Sequence, residues 1–168
     1  TLKTQSELVT VQDELGHVND YVTIQRIRFD NRFHLDLDIS SEYLDNKVLK
    51  LILQPLVENA LYHGLNYCTT GDTITIRAYT ENNCLMIDVH DNGQGMDIET
   101  LNKLQSSLSE EASFTELGHR NKQSIGLKNI HSRIELYYGK GYGLTVTSRQ
   151  NEWTNVQIRL PILKYQED

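Results

Sequence analysis

LILQPLVENALYHG, from Leu51 to Gly64, is the stretch whose reading decides the fold. Leu53, Leu56, Val57, Ala60 and Leu61 recur at three/four spacing, the pattern of a helix with one buried stripe. Pro55 lacks an N–H and so fits a first helical turn or marks a kink, and Gly64 is a helix stop. Into this apolar frame the sequence sets Glu58, Asn59 and His63. Glu58 and Asn59 lie about 100° apart around a helix, and Asn59 and His63 share a face at i, i+4. A polar cluster on a mostly buried helix is either a satisfied structural network or a site, and this stretch alone does not choose.

The rest of the chain bounds the choice. Its 168 residues make one domain, or one domain with an appended element, long enough to bury a proper core. Lys and Arg number 16 against 23 Asp and Glu, a formal charge of −7 that argues against nucleic acid or an anionic membrane as partner. Cys68 and Cys84 sit in no metal-ligand spacing and fit a reducing compartment. No apolar run approaches the ~20 residues of a membrane span. The first residue is Thr1, with no signal peptide, as expected of a piece of a longer protein whose other parts can hold a membrane segment.

Ahead of the central stretch, Leu8, Val11, Leu15, Val18, Val22 and Ile24 form an amphipathic stripe, predicting a long helix that ends near Phe29. A single long helix before a globular unit is expected to be an interaction or dimerisation element. Asp30-Asn31-Arg32 reads as a turn and Phe33–Ile39 alternates as a strand. The central helix is expected from about Asp45 to His63. Thr73–Thr80 and Leu85–His90 read as a hairpin about Asn82-Asn83, and Leu144–Ser148 with Val156–Leu160 as another about Asn151-Glu152.

The second strand of the first hairpin runs into Asp91-Asn-Gly93-Gln-Gly95-Met96. Two alternating glycines after an acidic residue make either a plain turn or a loop whose backbone a ligand can approach closely. Ile98–Leu108 is expected as a short helix. Ser109–Gln123 is polar with few anchors, a long loop of the kind that is usually functional or disordered. Ser124-Ile-Gly126-Leu-Lys-Asn-Ile130 then feeds a helix that buries Ile130, Ile134 and Tyr137, and such a helix start offers free N–H groups to an anion.

ENALYHG on a helix, DNGQGM after a strand and SIGLKNI entering a helix, in that order, resemble the ATP-binding catalytic domain of bacterial sensor histidine kinases, within the group that also holds gyrase, Hsp90 and MutL. The likeness is to the LytS/YesM type, whose QPLVENA-x-x-HG stands here as Gln54–Gly64 and whose YxxIQxxRF approach helix stands here as Tyr21–Phe29. The resemblance implies an α+β fold: a two-layer α/β sandwich with a mixed, largely antiparallel sheet, preceded by a long N-terminal helix. It divides the chain into residues 1–30, the end of a helical dimerisation and phosphoacceptor module, and residues 31–168, the ATP-binding domain. It further implies ATP and Mg²⁺ as cofactors.

Roles follow from the same resemblance, position by position. Asn59 is expected to bind the Mg²⁺ that bridges the phosphates, an ion that takes few protein ligands. Glu58 is expected at the metal's water shell or the transfer path, which makes Glu58 and Asn59 the catalytic pair. His63 falls near the phosphates. Asp91 matches the aspartate that accepts from the adenine amine, with Gly93, Gly95 and Met96 around the base. Ser124, Ile125, Gly126, Leu127 and Lys128 match the phosphate-cradling box, with Arg120 and Lys122 as further cations. Two positions depart from the pattern: Ser124 replaces the box's first glycine, and Tyr62 stands where many relatives carry Lys.

Hydrolytic members of the group place a Glu four residues before the asparagine. Here that residue is Pro55, which activates neither water nor a hydroxyl. The expected reaction is therefore transfer of the ATP γ-phosphoryl group to a histidine. None of His17, His34, His63, His90, His119 and His131 has the H-F-x-F-N context of the family's acceptor. The acceptor is thus expected on upstream helices outside this chain. A response regulator and a second copy of the parent protein are the implied partners, and a cytoplasmic domain of a membrane sensor the implied location. A nucleotide-binding pseudo-kinase and an ATP-hydrolysing enzyme are the alternatives.

Overall fold

Thr10 ends one element and opens the next. β1 (Leu8–Thr10) runs into α1 (Val11–Arg28), where Thr10 Oγ1 accepts from Asp13 N and Asp13 Oδ2 accepts from Thr10 N, each at 3.0 Å. This reciprocal box satisfies N–H groups that a first helical turn leaves without partners. The structure is a computed structural model that describes residues 7–65, 71–110 and 122–164, the side chains of 122–124 excepted. Cys68, His119 and Arg120 lie outside the described residues. α1 ends at Phe29 as expected, and the left-handed pair Asp30-Asn31 (φ 51° and 54°) turns the chain into β2 (Phe33–Asp38).

The helix expected from Asp45 is shorter. Residues Lys47–Leu49 form β3, antiparallel to β1, and α2 starts only at Leu53 (Leu53–Asn59), its last turn widening into π geometry over Ala60–Gly64. Two things fix that start. Leu51 adopts φ +59°, which no helix continues through. The buried Glu14 of α1 then accepts from Leu51 N, Ile52 N and Leu53 N at 2.6, 3.1 and 3.0 Å. A carboxylate from a distant helix thus does what no local residue does for the first α2 donors.

The first hairpin is β4 (Asp72–Glu81) and β5 (Cys84–Asp91), joined by Asn82 and Asn83 at φ 49° and 60°. Two consecutive positive φ values make the tight turn whose twist suits a hairpin, and Asn tolerates them. α3 (Ile98–Ser109) is capped by Asp97, whose Oδ1 accepts from Thr100 N at 2.7 Å. α4 spans Lys122–Tyr138, and β6 (Gly143–Arg149) and β7 (Trp153–Pro161) close the chain. The main sheet has the order β2-β4-β5-β7-β6, with β2 and β4 parallel and the remaining pairs antiparallel.

Period-2 alternation puts Ile74, Ile76, Leu85, Ile87, Val89, Val146, Val156, Ile158 and Leu160 on one face of this sheet, where they meet the helices in a single core. The fold is the expected α+β arrangement, with four helices over a mixed five-stranded sheet among the described residues. α1 packs on α2 and places Val11, Leu15, Val18 and Val22 in the common core. Two expectations need correcting. Ile24 lies off that stripe and is 64% exposed. On α4 the buried set is Leu127, Ile130 and Ile134, while Tyr137 is 47% exposed. No helix among the described residues is long and apolar enough to cross a membrane.

Candidate functional site

The C-terminal end of β5 and the π turn after α2 face each other, and a cavity of about 340 Å³ lies between them. Asn59, His63 and Gly64 line it from the helix side, Asp91 from the sheet, and Gly95 and Met96 from the following loop. A second cavity of about 450 Å³ shares Asn59 and His63 and adds Glu58, Tyr62, Gly126 and Leu127. Most of the described predicted residues therefore line one or other of two cavities that share Asn59 and His63, whereas Gly93 lines neither.

At the sheet end Asp91 is 3% exposed. Its Oδ1 accepts from Gly93 N at 3.0 Å, and among the described residues no donor meets Oδ2. Burial pushes the Asp91 carboxyl up to about 7, against the Gly93 N–H that favours the charged form, with the Asp72 carboxylate raising it further. Two glycines make room for this carboxylate. A Cβ on Gly64 would overlap the Asp91 carboxyl, and one on Gly93 would overlap the Gly64 carbonyl oxygen. The loop is pinned by Gln94 N donating to Gly64 O at 2.8 Å and Gln94 Nε2 donating to His63 O at 2.8 Å. Gly95, at φ +63°, lies against the Arg149 carbonyl, where a side chain has no space.

Thr154 also lines the smaller cavity, and sequence reading missed it. It pairs with Asp91 across β5 and β7 and is 5% exposed. Its Oγ1 is 2.9 Å from Ser148 Oγ, which in turn accepts from Met96 N at 2.9 Å. The signal was present: Thr154 is the polar first member of the core-facing series Thr154, Val156, Ile158, Leu160. Gln94, Thr100 and Asn151 are further lining residues that the motifs did not single out.

At the helix end Glu58 accepts from Gln54 Nε2 at 3.0 Å through Oε1. Burial holds the His63 imidazole below its ordinary pKa, so it is neutral at pH 7. The stretch expected to cradle phosphates is arranged differently from a loop that feeds a helix. Ser124 to Gly126 are within α4 rather than in a loop before it. The N–H groups left without intrahelical partners are therefore those of residues 122–125, one turn earlier than expected. Gly126 and Leu127 still line the larger cavity, whereas Lys128 is buried and its Nζ donates to Glu110 O at 2.7 Å. Ile125 lines neither cavity; Lys122 and Ser124 stand in the first turn of α4, their side chains undescribed. No group of three or more His, Cys, Asp or Glu among the described residues could hold a metal by itself.

Comparison with known proteins places this geometry. The chain is 36% identical over 157 residues to the sensor histidine kinase YesM of Bacillus subtilis, covering 94% of this chain and 24% of that protein. It is 33% identical to the sensor protein kinase HptS of Staphylococcus aureus, covering 96% of this chain and 30% of that protein. It thus spans less than a third of the length of either relative. The nucleotide-free catalytic domain of histidine kinase ThkA shares the fold, with a TM-score of 0.65 at 16% identity over 93% of this chain and 95% of that one. Residues 44–164 match the family described as histidine kinase-, DNA gyrase B-, and HSP90-like ATPase. With two relatives above 30% identity and that match over most of its length, the chain belongs to this ATPase family.

Proposed function

We propose that this domain binds Mg-ATP with the base at Asp91 and the phosphates at Asn59, and transfers the γ-phosphoryl group to a histidine on a helical segment outside this chain. One observation carries the reading: a buried carboxylate with an uncommitted oxygen stands at one end of a cavity, and Asn59 at its junction with the next. Asp91 Oδ2 would accept from an exocyclic amine while Gly93 N–H holds Oδ1. Thr154 offers a hydroxyl beside it.

The donor set suits Mg²⁺. One amide oxygen from Asn59, with Glu58 as its neighbour, is too little for an all-protein cage but enough for an ion that keeps waters and phosphate oxygens as its other ligands. When bound, the ion neutralises charge on the phosphates. Pro55, four residues before Asn59, provides no base to activate water. The acceptor imidazole would attack phosphorus, form the N–P bond, and release ADP as the bond to the bridging oxygen breaks. An imidazole needs positioning more than activation.

In this reading the parent protein is a sensor kinase, as the relatives are named, anchored in a membrane and acting as a homodimer, with a response regulator receiving the phosphoryl group. The acceptor helices then precede α1, which belongs with the catalytic unit. The test mixes the chain with a segment bearing the acceptor histidine and γ-labelled ATP. Acid-labile, alkali-stable label on that segment is the expected result, lost in Asn59→Ala together with the Mg²⁺ dependence of ATP binding. Absence of phosphohistidine, with ATP binding indifferent to Asn59→Ala, would sink the assignment. Steady phosphate release from the chain alone would favour hydrolysis instead.

A further inference from the structure

A polar stripe on α1 faces the end of α2 that carries Asn59. Tyr21, Gln25 and Arg28 recur at i, i+4 and i+7 and share one side of the helix. Opposite them stands Tyr62, in the π turn. Arg28 Nη1 donates to Tyr62 Oη at 3.0 Å, and Tyr62 Oη donates to Gln25 Oε1 at 3.2 Å. The guanidinium carbon lies 5.8 Å from the Tyr62 ring centroid and 5.7 Å from that of Phe29, so two aromatic rings steady it. Burial, then the neighbouring Tyr62 and Glu58, push the Tyr21 hydroxyl well above its ordinary pKa, and it stays protonated beneath them.

Tyr62 lines the larger cavity beside Glu58, Asn59 and His63. Neither cavity is lined by a Lys or Arg among the described residues. A triphosphate brings more negative charge than one divalent ion removes. Two other described cations, both on α4, are committed. Lys128 is held by the Glu110 carbonyl, and Arg133 donates to Leu51 O at 3.1 Å and Lys50 O at 2.7 Å. Arg28 meets no carboxylate at ion-pair distance among the described residues, unlike Arg77 with Asp38 or Arg149 with Glu152. It has one of its five donors on Tyr62 and the others to offer.

We propose that Arg28, aimed by Tyr62 and Gln25, contacts the terminal phosphate of the bound nucleotide from the α1 side and makes the site prefer a triphosphate to a diphosphate. Tyr62 and Gln25 are then positioning residues. The inference rests on the nucleotide reading above, and its test separates the two.

The measurement is equilibrium binding of Mg-ATP and Mg-ADP to the 168-residue chain, with the unfolding temperature of each variant alongside. Arg28→Ala is expected to weaken Mg-ATP by about tenfold to thirtyfold and Mg-ADP by less than about twofold, the loss of one charge-assisted contact. Arg28→Lys keeps the charge and stays within about fivefold of the unmodified chain for Mg-ATP. Tyr62→Phe keeps the ring, weakens Mg-ATP by about threefold to tenfold, and adds nothing further once Arg28 is Ala. Equal losses for the two nucleotides, or no loss, in a folded Arg28→Ala overturn the proposal. Should Arg28→Ala not fold, an unchanged ATP-to-ADP ratio in Tyr62→Phe overturns it equally. If the unmodified chain binds neither nucleotide, the nucleotide reading itself fails.

Discussion

A methyl group added at Gly93 would overlap the Gly64 carbonyl oxygen, whereas one added at Gly126 would meet nothing within 4 Å. Gly126 lines the larger cavity, while Gly93 packs against Gly64 and Asp91, which line the smaller one. At the Asp91 end, backbone packs on backbone, and Gln94, Met96 and Asn151 are tied to Gly64, Ser148 and Gln94 through their N–H groups. At the Asn59 end, Gly126 borders an open cavity and the helix start beside it offers N–H groups. A flat, invariant base can be met by a pocket already formed, while a charged, extended phosphate chain calls for groups that close on it. Under the proposed function, the difference between the two glycines is the difference between recognising a shape and gathering a charge.

The sharpest attack on this contrast is Gly93→Ala. Because the obstruction is backbone, the expected cost is about 4 kcal/mol of folding stability, beyond the usual range for overpacking, with loss of nucleotide binding. Denaturant unfolding at wild-type stability would mean that the wall yields and the pocket is not preformed.

Asp91→Asn comes next, and its sign depends on pH. The Asp91 carboxyl titrates near about 7 in the folded chain against 3.8 as its ordinary value, so the folded state holds the proton more tightly than the unfolded state. Stability is therefore greatest below the ordinary value, falls as pH rises between the two, and carries the full cost of the buried charge above about 7. Asn removes that cost. The variant should be more stable than the parent by about 4 kcal/mol at pH 8, the gain shrinking toward zero near pH 4. Thermal unfolding across this range checks it, and a gain independent of pH would assign the effect to packing. Nucleotide binding should be lost at every pH, since the amide brings a donor to a place that needs an acceptor.

Gly126→Ala is the mildest. In a helix with open space it should raise stability by about 0.5–1 kcal/mol. A loss of stability in the free chain would show that α4 does not begin before Gly126.

Where the sequence was readable, its signals were local. Asn82-Asn83 with flanking alternation placed the first hairpin, because turn chemistry and strand period act over a few residues. The Leu53–Leu61 stripe was right in every member. What escaped was decided at a distance. Val48 and Leu49 are buried as a helical stripe would have them, but pairing with β1 makes them a strand. Tyr62 looked like a departure from a motif until Arg28 was found upon it. Ser124-Ile-Gly126 reads as loop by propensity, yet lies in helix beside Leu127 and Ile130, which the core buries.

The Glu14 carboxylate also sets the smallest piece of chain that can present Asn59. α2 has 7 residues before the π turn, too few to hold helical form unaided. Its first donors rest on Glu14, and its apolar side rests on Val11, Leu15, Val18 and Val22. Cutting the chain at residue 31 would leave Leu51, Ile52 and Leu53 N–H groups without their acceptor and strip the cover from Leu53, Leu56 and Val57. The smallest fragment that keeps this site thus reaches back through α1, and a boundary drawn at the first strand of the sheet would sever the site from its foundation.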